Sequence, residues 1–372
     1  MNRLKKISIL VSGPLPPPLG GMETYCQDYL NTDIPRDFNI TFCRCILIKQ
    51  MPEAKGSLGL FLRCLNRVLT LVVWLFMLIV KQPDIVHVHT NSGAGFYARG
   101  LMTLWAKKFG AKAILHMHGA EFKEFYNAMT PARKKRTKRF LTANSILVVL
   151  SKEWQQFFVS IGIPPEKIIV KTNSVFLPVL SEKSKTTERL TVLYLSRFEK
   201  RKGVYEIVDA IKNYPELREK FRFVIAGPMT DSFEDIKTLV ESLGFSGFVE
   251  MPGPLVGKDK DKAYRNADIY LLQSFAEGMP IGLLEAMSYG LACITTPVGG
   301  IPDVVQNGQN GLLIEPGDTY ALAGAIESLL KNEDVRIRIG REARATIAQK
   351  YNWTVRAKEL SELYFKLVDR KD

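Results

Sequence analysis

Ser274-Phe-Ala-Glu277-Gly-Met-Pro-Ile-Gly282-Leu-Leu-Glu285-Ala-Met-Ser-Tyr-Gly290 is the stretch whose reading decides the fold. An apolar run, Asp268-Ile-Tyr-Leu-Leu272, precedes it and predicts a short buried strand. Glu277 then stands just past a strand's C-terminal end. Gly278, Pro280 and Gly282 make a tight turn, and proline suits a first helical turn. From about Leu283 the run Leu-Leu-Glu-Ala-Met continues as helix. Strand, glycine-bearing turn and helix together put backbone N–H groups and the positive end of a helix dipole at the turn, which suits phosphate. Glu277 and Glu285 lie eight positions apart, so both carboxylates can accept hydrogen bonds from hydroxyls in one crevice.

The same alternation extends in both directions. Leu190–Leu195 predicts a strand, Val204–Lys212 a helix, and Ser196-Arg197-Phe-Glu-Lys-Arg-Lys202-Gly203 the turn between them. Arg197 and Lys202 flank that turn, and a forked guanidinium with a point-charge ammonium suits a diphosphate; Lys200 and Arg201 read as exposed. Further strands are predicted at Phe221–Ala226, Phe248–Met251, Ala292–Thr295 and within Asn310–Asp318, followed by helices over Asp334–Gln349 and Val355–Val368. Upstream, strands are predicted at Ile7–Val11, Asp84–His89, Lys112–Met117, Ile146–Leu150 and Lys167–Val170. Gly20-Gly21 opens a helix, where a ligand could approach the backbone, and Ser151 opens another. Pro178–Arg189 is polar and charged, a predicted linker. Two blocks of strand and helix imply an α/β chain of two doubly wound, Rossmann-like parallel-sheet domains facing a central cleft, with ligands at strand C-terminal ends. The expected divisions are 1–177, the linker 178–189, a second domain over 190–352, and 353–372 as a helix returning to the first domain.

Glu277-x7-Glu285, with its Glu-Gly-Met-Pro-Ile core and the Glu-Ala-Met that follows, resembles the signature of retaining glycosyltransferases of family 4, which have the GT-B fold. Arg197-x4-Lys202-Gly203 is similar to that family's element for the leaving nucleoside diphosphate. His118-Gly119 resembles its histidine beside the donor sugar. Thr172-Asn173-Ser174-Val175 resembles a Pro-Asn-Gly-Val element, from which it departs at Thr172 and Ser174. The resemblance implies transfer of a sugar from a nucleotide donor to an acceptor hydroxyl with the anomeric configuration kept. It implies catalytic roles for Glu277 and His118. It implies donor contacts at Gly20, Gly21, Arg197, Lys202, Gly278, Met279, Pro280, Ile281 and Glu285, the last on the ribose. It implies no metal and no cofactor besides the nucleotide-sugar substrate.

The chain has 372 residues, enough for two or three domains, and 46% hydrophobic residues, which is globular and not disordered. Its five cysteines form no CxxC pair, and the apolar run near the start is too short for a signal-peptide core; a reducing, cytoplasmic setting is expected. Charge is lopsided. Residues 1–180 hold 24 Lys and Arg against 10 Asp and Glu, while residues 181–372 hold 27 against 28. Much of the excess sits in Arg133-Lys134-Lys135-Arg136-Thr-Lys138-Arg139. No aromatic residues interleave these cations, which argues against nucleic acid and for an anionic membrane surface or an acceptor. Val68–Val80 carries no charge and is too short to span a bilayer, so the leading expectation is a core helix and the alternative is a helix docked on a membrane. His87, His89, His116 and His118 sit in pairs one residue apart on predicted strands; without a carboxylate or cysteine cluster a metal is not expected, and the first three read as structural.

The expected partners are a nucleotide-sugar, a lipid-linked or saccharide acceptor, and the inner face of a cell membrane. The expected role is bacterial envelope polysaccharide synthesis. A nucleotide-sugar 2-epimerase and a catalytically dead membrane adaptor are the rivals.

Overall fold

The computed structural model describes residues 6–17, 19–45, 56–180 and 189–369. Two compact units emerge: residues 1–173 together with 353–372, and residues 174–352. Most of the predicted linker, 181–188, lies outside the described residues.

The first unit is built on six parallel strands: β1 (Ser8–Gly13), β2 (Asn39–Arg44), β3 (Ile85–Thr90), β4 (Lys112–Met117), β5 (Ile146–Val149) and β6 (Ile168–Val170). Their order is β2-β1-β3-β4-β5-β6. Alternation along each strand sorts side chains onto two faces. Leu10, Val86, Val88, Leu115 and Leu147 share a core with the helices Gly56–Lys81, Ala94–Lys108, Pro131–Ala143 and Lys152–Ser160 through Trp74, Phe96, Met102, Phe140, Leu141 and Phe158. The opposite residues of β3 and β4, His87, His89 and His116, pack edge-on or tilted against Tyr25 and Tyr29 of the helix Gly21–Leu30 and Tyr364 of the final helix Trp353–Asp369. That final helix is held further by Trp353 Nε1 donating to Asp28 (3.3 Å), by Arg356 donating to Thr172 Oγ1 (2.6 Å), and by Lys171 pairing with Glu359 (2.8 Å).

The second unit is a sheet in the order β12-β11-β10-β7-β8-β9, from β7 (Leu190–Leu195), β8 (Phe221–Ala226), β9 (Val249–Gly253), β10 (Ile269–Leu272), β11 (Ala292–Thr295) and β12 (Leu312–Leu313). All its pairings are parallel. The strand order reverses between β7 and β10, and in the first unit between β1 and β3. Doubly wound sheets bind ligands outside the strand ends at such reversals. Ser174–Leu177 belongs with this unit, where Val175 bridges to Asn352.

Two sequence expectations change. β2 was not predicted, because it is an edge strand with one fully buried residue, Cys43, and so lacks clear alternation. Val68–Val80 is a core helix on one side only. It belongs to a 26-residue helix, Gly56–Lys81, that buries one stripe, including Trp74 and Leu78, and leaves another apolar stripe in solvent.

Candidate active site

In the second unit the candidate residues collect at the C-terminal ends of β7 and β10. β7 ends at Leu195, and Lys200–Lys202 forms one tight turn before the helix Val204–Asn213. Gly203 makes the junction in the left-handed region, φ 71°, and a Cβ there would lie 1.9 Å from the carbonyl oxygen of Gln273. Only glycine lets this turn press against the end of β10. Phe275 N–H donates to the Arg201 carbonyl at 2.8 Å, zipping the two loops together.

The result is a buried ion pair. Lys202 Nζ meets Glu277 Oε1 at 2.6 Å, and Ser274 Oγ donates to the same oxygen at 2.7 Å. Glu277 is 4% exposed and Lys202 9%. The loop after β11 closes on it as tightly: Gly299, at φ 58°, has the Glu277 carbonyl oxygen where a Cβ would stand, 1.8 Å away. Pro280 then precedes the helix Ile281–Ser288. Gly278, Met279, Pro280 and Ile281 are buried and run from the ion pair into that helix, whose first N–H groups have no partner within it.

Glu285, one turn into the helix, is held from a different element. Lys260 Nζ lies 2.5 Å from its Oε1, and Tyr264 donates to Oε2 at 3.0 Å. Both come from the helix Gly257–Asn266. Burial first, and the Glu285 charge second, push the Tyr264 hydroxyl well above the ordinary tyrosine range, so it stays a donor. Neither Lys260 nor Tyr264 was foreseen, since Lys258-Asp-Lys-Asp-Lys262 looks like a solvated charge run; the helical spacing of Lys260 and Tyr264 is the signal that could have found them.

Arg197 pairs with Glu199 at 2.7 Å, and Arg201 pairs with the same carboxylate at 2.6 Å. Burial raises the Glu199 pKa, but Arg201 and then Arg197 outweigh it and leave the carboxyl below its usual range. Arg201, expected to be exposed, is half-buried and also donates to the Ala276 carbonyl at 3.3 Å. Lys200 is exposed.

The other candidates lie in the first unit. Gly20 is extended and ends the loop before the helix Gly21–Leu30; a Cβ on it would meet the Glu23 carboxylate at 2.4 Å, while Gly21 has open space. His118 follows β4, and its Nε2 lies 3.0 Å from His89 Nδ1. The register sets His89 opposite His116, and the four rings form one cluster. His87, His89 and His116 are fully buried, with ligand atoms within 4.8 Å of one another. Their contacts are those of a hydrogen-bonded chain: Tyr29 and Tyr364 hydroxyls 3.2 Å apart, Tyr364 Oη 2.7 Å from His87 Nδ1, and His87 Nε2 3.3 Å from His116 Nδ1. The His87 and His116 rings stack with their planes 14° apart. Burial lowers the pKa of His87 to about 3, and burial with the neighbouring His87 does the same for His118. His118 alone keeps part of its surface open. The six cations Arg133, Lys134, Lys135, Arg136, Lys138 and Arg139 all lie on the helix Pro131–Ala143, and only Lys134 is less than fully exposed among them.

The profile of the family described as Glycosyl transferases group 1 matches residues 179–346, and that of Glycosyltransferase Family 4 matches residues 19–175. The chain belongs to glycosyltransferase family 4. The transferase is 26% identical over 296 residues to WcaL of Salmonella typhimurium, named for colanic acid biosynthesis, covering 76% of this chain and 71% of that one. Among solved structures it is similar to a sucrose-phosphate synthase from Thermosynechococcus elongatus, with a TM-score of 0.80 and 18% identity over 98% of this chain and 100% of that one. It is also similar to HepE of Anabaena, solved with UDP-glucose, with a TM-score of 0.76 and 17% identity over 96% and 100%. The two six-stranded parallel sheets with their flanking helices are those of the GT-B fold.

Proposed function

We propose that the transferase moves a sugar from a nucleotide-sugar to a hydroxyl of a lipid-linked or saccharide acceptor, with retention at the anomeric carbon, in the building of a bacterial envelope polysaccharide. The observation that carries this reading is the buried Lys202–Glu277 pair at the mouth of β7 and β10, beside a helix N-terminus. Among the described residues, Glu277 Oε1 takes both bonds, and Oε2 is left to accept hydroxyls of the donor sugar. Glu285 accepts the ribose hydroxyls in exchange for part of its contact with half-exposed Lys260.

As the bond between the anomeric carbon and phosphate oxygen breaks, positive charge grows on the sugar and negative charge on the diphosphate. Lys202, Arg197 and the N–H groups over Gly278–Ile281 stabilise the departing diphosphate, and they are in place before it forms. The acceptor oxygen bonds to the same face of the anomeric carbon, and its proton passes to the departing diphosphate oxygen. His118, held neutral, contacts the donor sugar as a hydrogen-bond partner. This scheme draws on protein cations and backbone dipoles, with neither metal nor cofactor given a step. The relative named for colanic acid biosynthesis supports a polysaccharide product, and the HepE complex supports a nucleotide-sugar donor. Five free cysteines suit the reducing cytoplasmic side.

The test is incubation with a panel of radiolabelled nucleotide-sugars and envelope lipid extract. Label in an acceptor-linked product, with one nucleoside diphosphate released per transfer, is expected. Conversion of the donor to an epimer, or no reaction with any donor, would refute the reading.

A further inference from the structure

The helix Gly56–Lys81 is apolar on two sides. One side packs Trp74 and Leu78 into the core of the first sheet. The other carries Phe61, Leu65, Val68, Val72, Phe76 and Ile79, spaced by three or four residues as a continuous stripe along one face. Phe61 is 63% exposed and Phe76 65%. This helix is long and apolar enough over Gly59–Lys81 to cross a membrane by length and composition. The fold forbids crossing: the helix links β2 to β3, both parallel strands of one sheet, so it must lie along that sheet. It can only lie flat.

Charge on the same layer identifies what covers the stripe. The helices Gly56–Lys81, Ala94–Lys108 and Pro131–Ala143 pack on one face of the sheet, the second between the other two. Together they contain twelve Lys and Arg and no Asp or Glu. Arg63 and Lys81 on the first, Lys107 and Lys108 on the second, and the Arg133–Arg139 run on the third are exposed or nearly so. The fourth helix on this core, Lys152–Ser160, carries Glu153; a protein partner matching the stripe would not ask for three adjoining helices without an acid, and a nucleic acid would not ask for a stripe of apolar side chains.

We infer that this three-helix layer is a membrane-docking face, in which the stripe Phe61–Ile79 enters the headgroup–acyl boundary of an anionic bilayer while the Arg133–Arg139 run pairs with its headgroups. Charge governs arrival and burial of the stripe governs retention. Each cation held near an anionic surface contributes about a fivefold gain in partitioning, so a row of six is a strong attractor. None of the residues of this face is among the sugar-transfer residues, and the inference stands whatever the donor.

The test is flotation of the full chain with vesicles of phosphatidylcholine alone or mixed with phosphatidylglycerol. Wild type is expected to bind the mixed vesicles, to bind neutral ones far less, and to be only partly released by about 1 M salt. Replacing Arg133, Lys134, Lys135, Arg136, Lys138 and Arg139 by Gln should lower partitioning at least about 100-fold. Val72→Glu with Phe76→Glu should leave arrival at low salt but give full release at high salt, with nucleoside-diphosphate binding and thermal midpoint unchanged in both variants. In a Phe76→Trp protein, lipid brominated on its acyl chains should quench the added fluorescence. Equal binding to both vesicle types, no binding to either, or absence of quenching would overturn the inference. So would wild-type dimers in sedimentation that Val72→Glu with Phe76→Glu abolishes while vesicle binding is unchanged, since the stripe would then join two copies of the chain.

Discussion

At the ends of β7 and β10 cations come with carboxylates: Lys202 with Glu277, Lys260 with Glu285, Arg197 and Arg201 with Glu199. On the outer helices of the first unit they come without: twelve Lys and Arg share three helices that contain no Asp or Glu. Deeper in that unit, at β3 and β4, the polar groups are four histidines and three tyrosines, hydrogen-bonded to or packed against one another among the described residues. The same kind of sheet is thus fitted for three tasks. Paired charges hold side chains rigid and ready to be redistributed when an anionic ligand arrives. Unbalanced charges act at a distance on a surface. Neutral rings pack densely and hold a polar face dry.

The largest effect should come from the paired site. Glu277→Gln keeps the shape of the side chain but removes the charge that meets Lys202, and transfer should fall by about 10² to 10³-fold while nucleoside-diphosphate binding changes only a few-fold. Paired radiolabel-transfer and calorimetric binding measurements check this. Equal loss of both would mean that Glu277 acts only by holding Lys202.

The histidine cluster gives the next effect. His87 titrates near 3 in the folded chain, and burial pushes His89 and His116 well below 6.5. In the unfolded chain each takes a proton near pH 6.5, which the folded chain refuses. Stability is therefore fully present above about pH 6.5 and drains as pH falls toward 3, by about 1 kcal/mol per buried histidine per pH unit. Thermal midpoints should drop steeply between pH 7 and pH 5, and less steeply in His116→Gln. A flat profile over that range would deny that these rings are buried neutral.

How much of this was legible follows from the length of each signal. Runs such as Leu190–Leu195 and Ala292–Thr295 announce parallel strands by being apolar but for one threonine each, and the turns after them carry glycines, so the two-sheet α/β fold could be read directly. Glu277 could be singled out by its place after a strand, but its partner Lys202 stands 75 residues away, and their contact depends on Gly203 fitting under the Gln273 carbonyl. No local pattern encodes that. The long helix misled for a related reason. Apolar content says that a helix seeks an apolar environment, but its two stripes separate only once Trp74 and Leu78 are seen to occupy the core.

A smaller effect is expected at Glu285, for which a ribose contact is proposed. Lys260→Ala and Tyr264→Phe should raise the KM for the donor about 5- to 30-fold with kcat nearly unchanged, the consequence of losing one or two polar contacts to Glu285. Steady-state kinetics on the preferred donor measure it, and a fall in kcat alone would move Glu285 from binding into the chemical step. The smallest effect is expected from a chelator. The role proposed for Arg197 and Lys202 on the diphosphate predicts that removing divalent ions leaves the rate unchanged; strict dependence on a divalent ion would contradict that role.

The most direct test of the central claim is proton NMR of the turnover reaction with the preferred nucleotide-sugar and acceptor, reading the anomeric coupling of donor and product. The account predicts a product with the donor's anomeric configuration, one nucleoside diphosphate per glycosidic bond, and at least about 100-fold slower product formation in Glu277→Gln. An inverted product, or undiminished turnover in that variant, would contradict it.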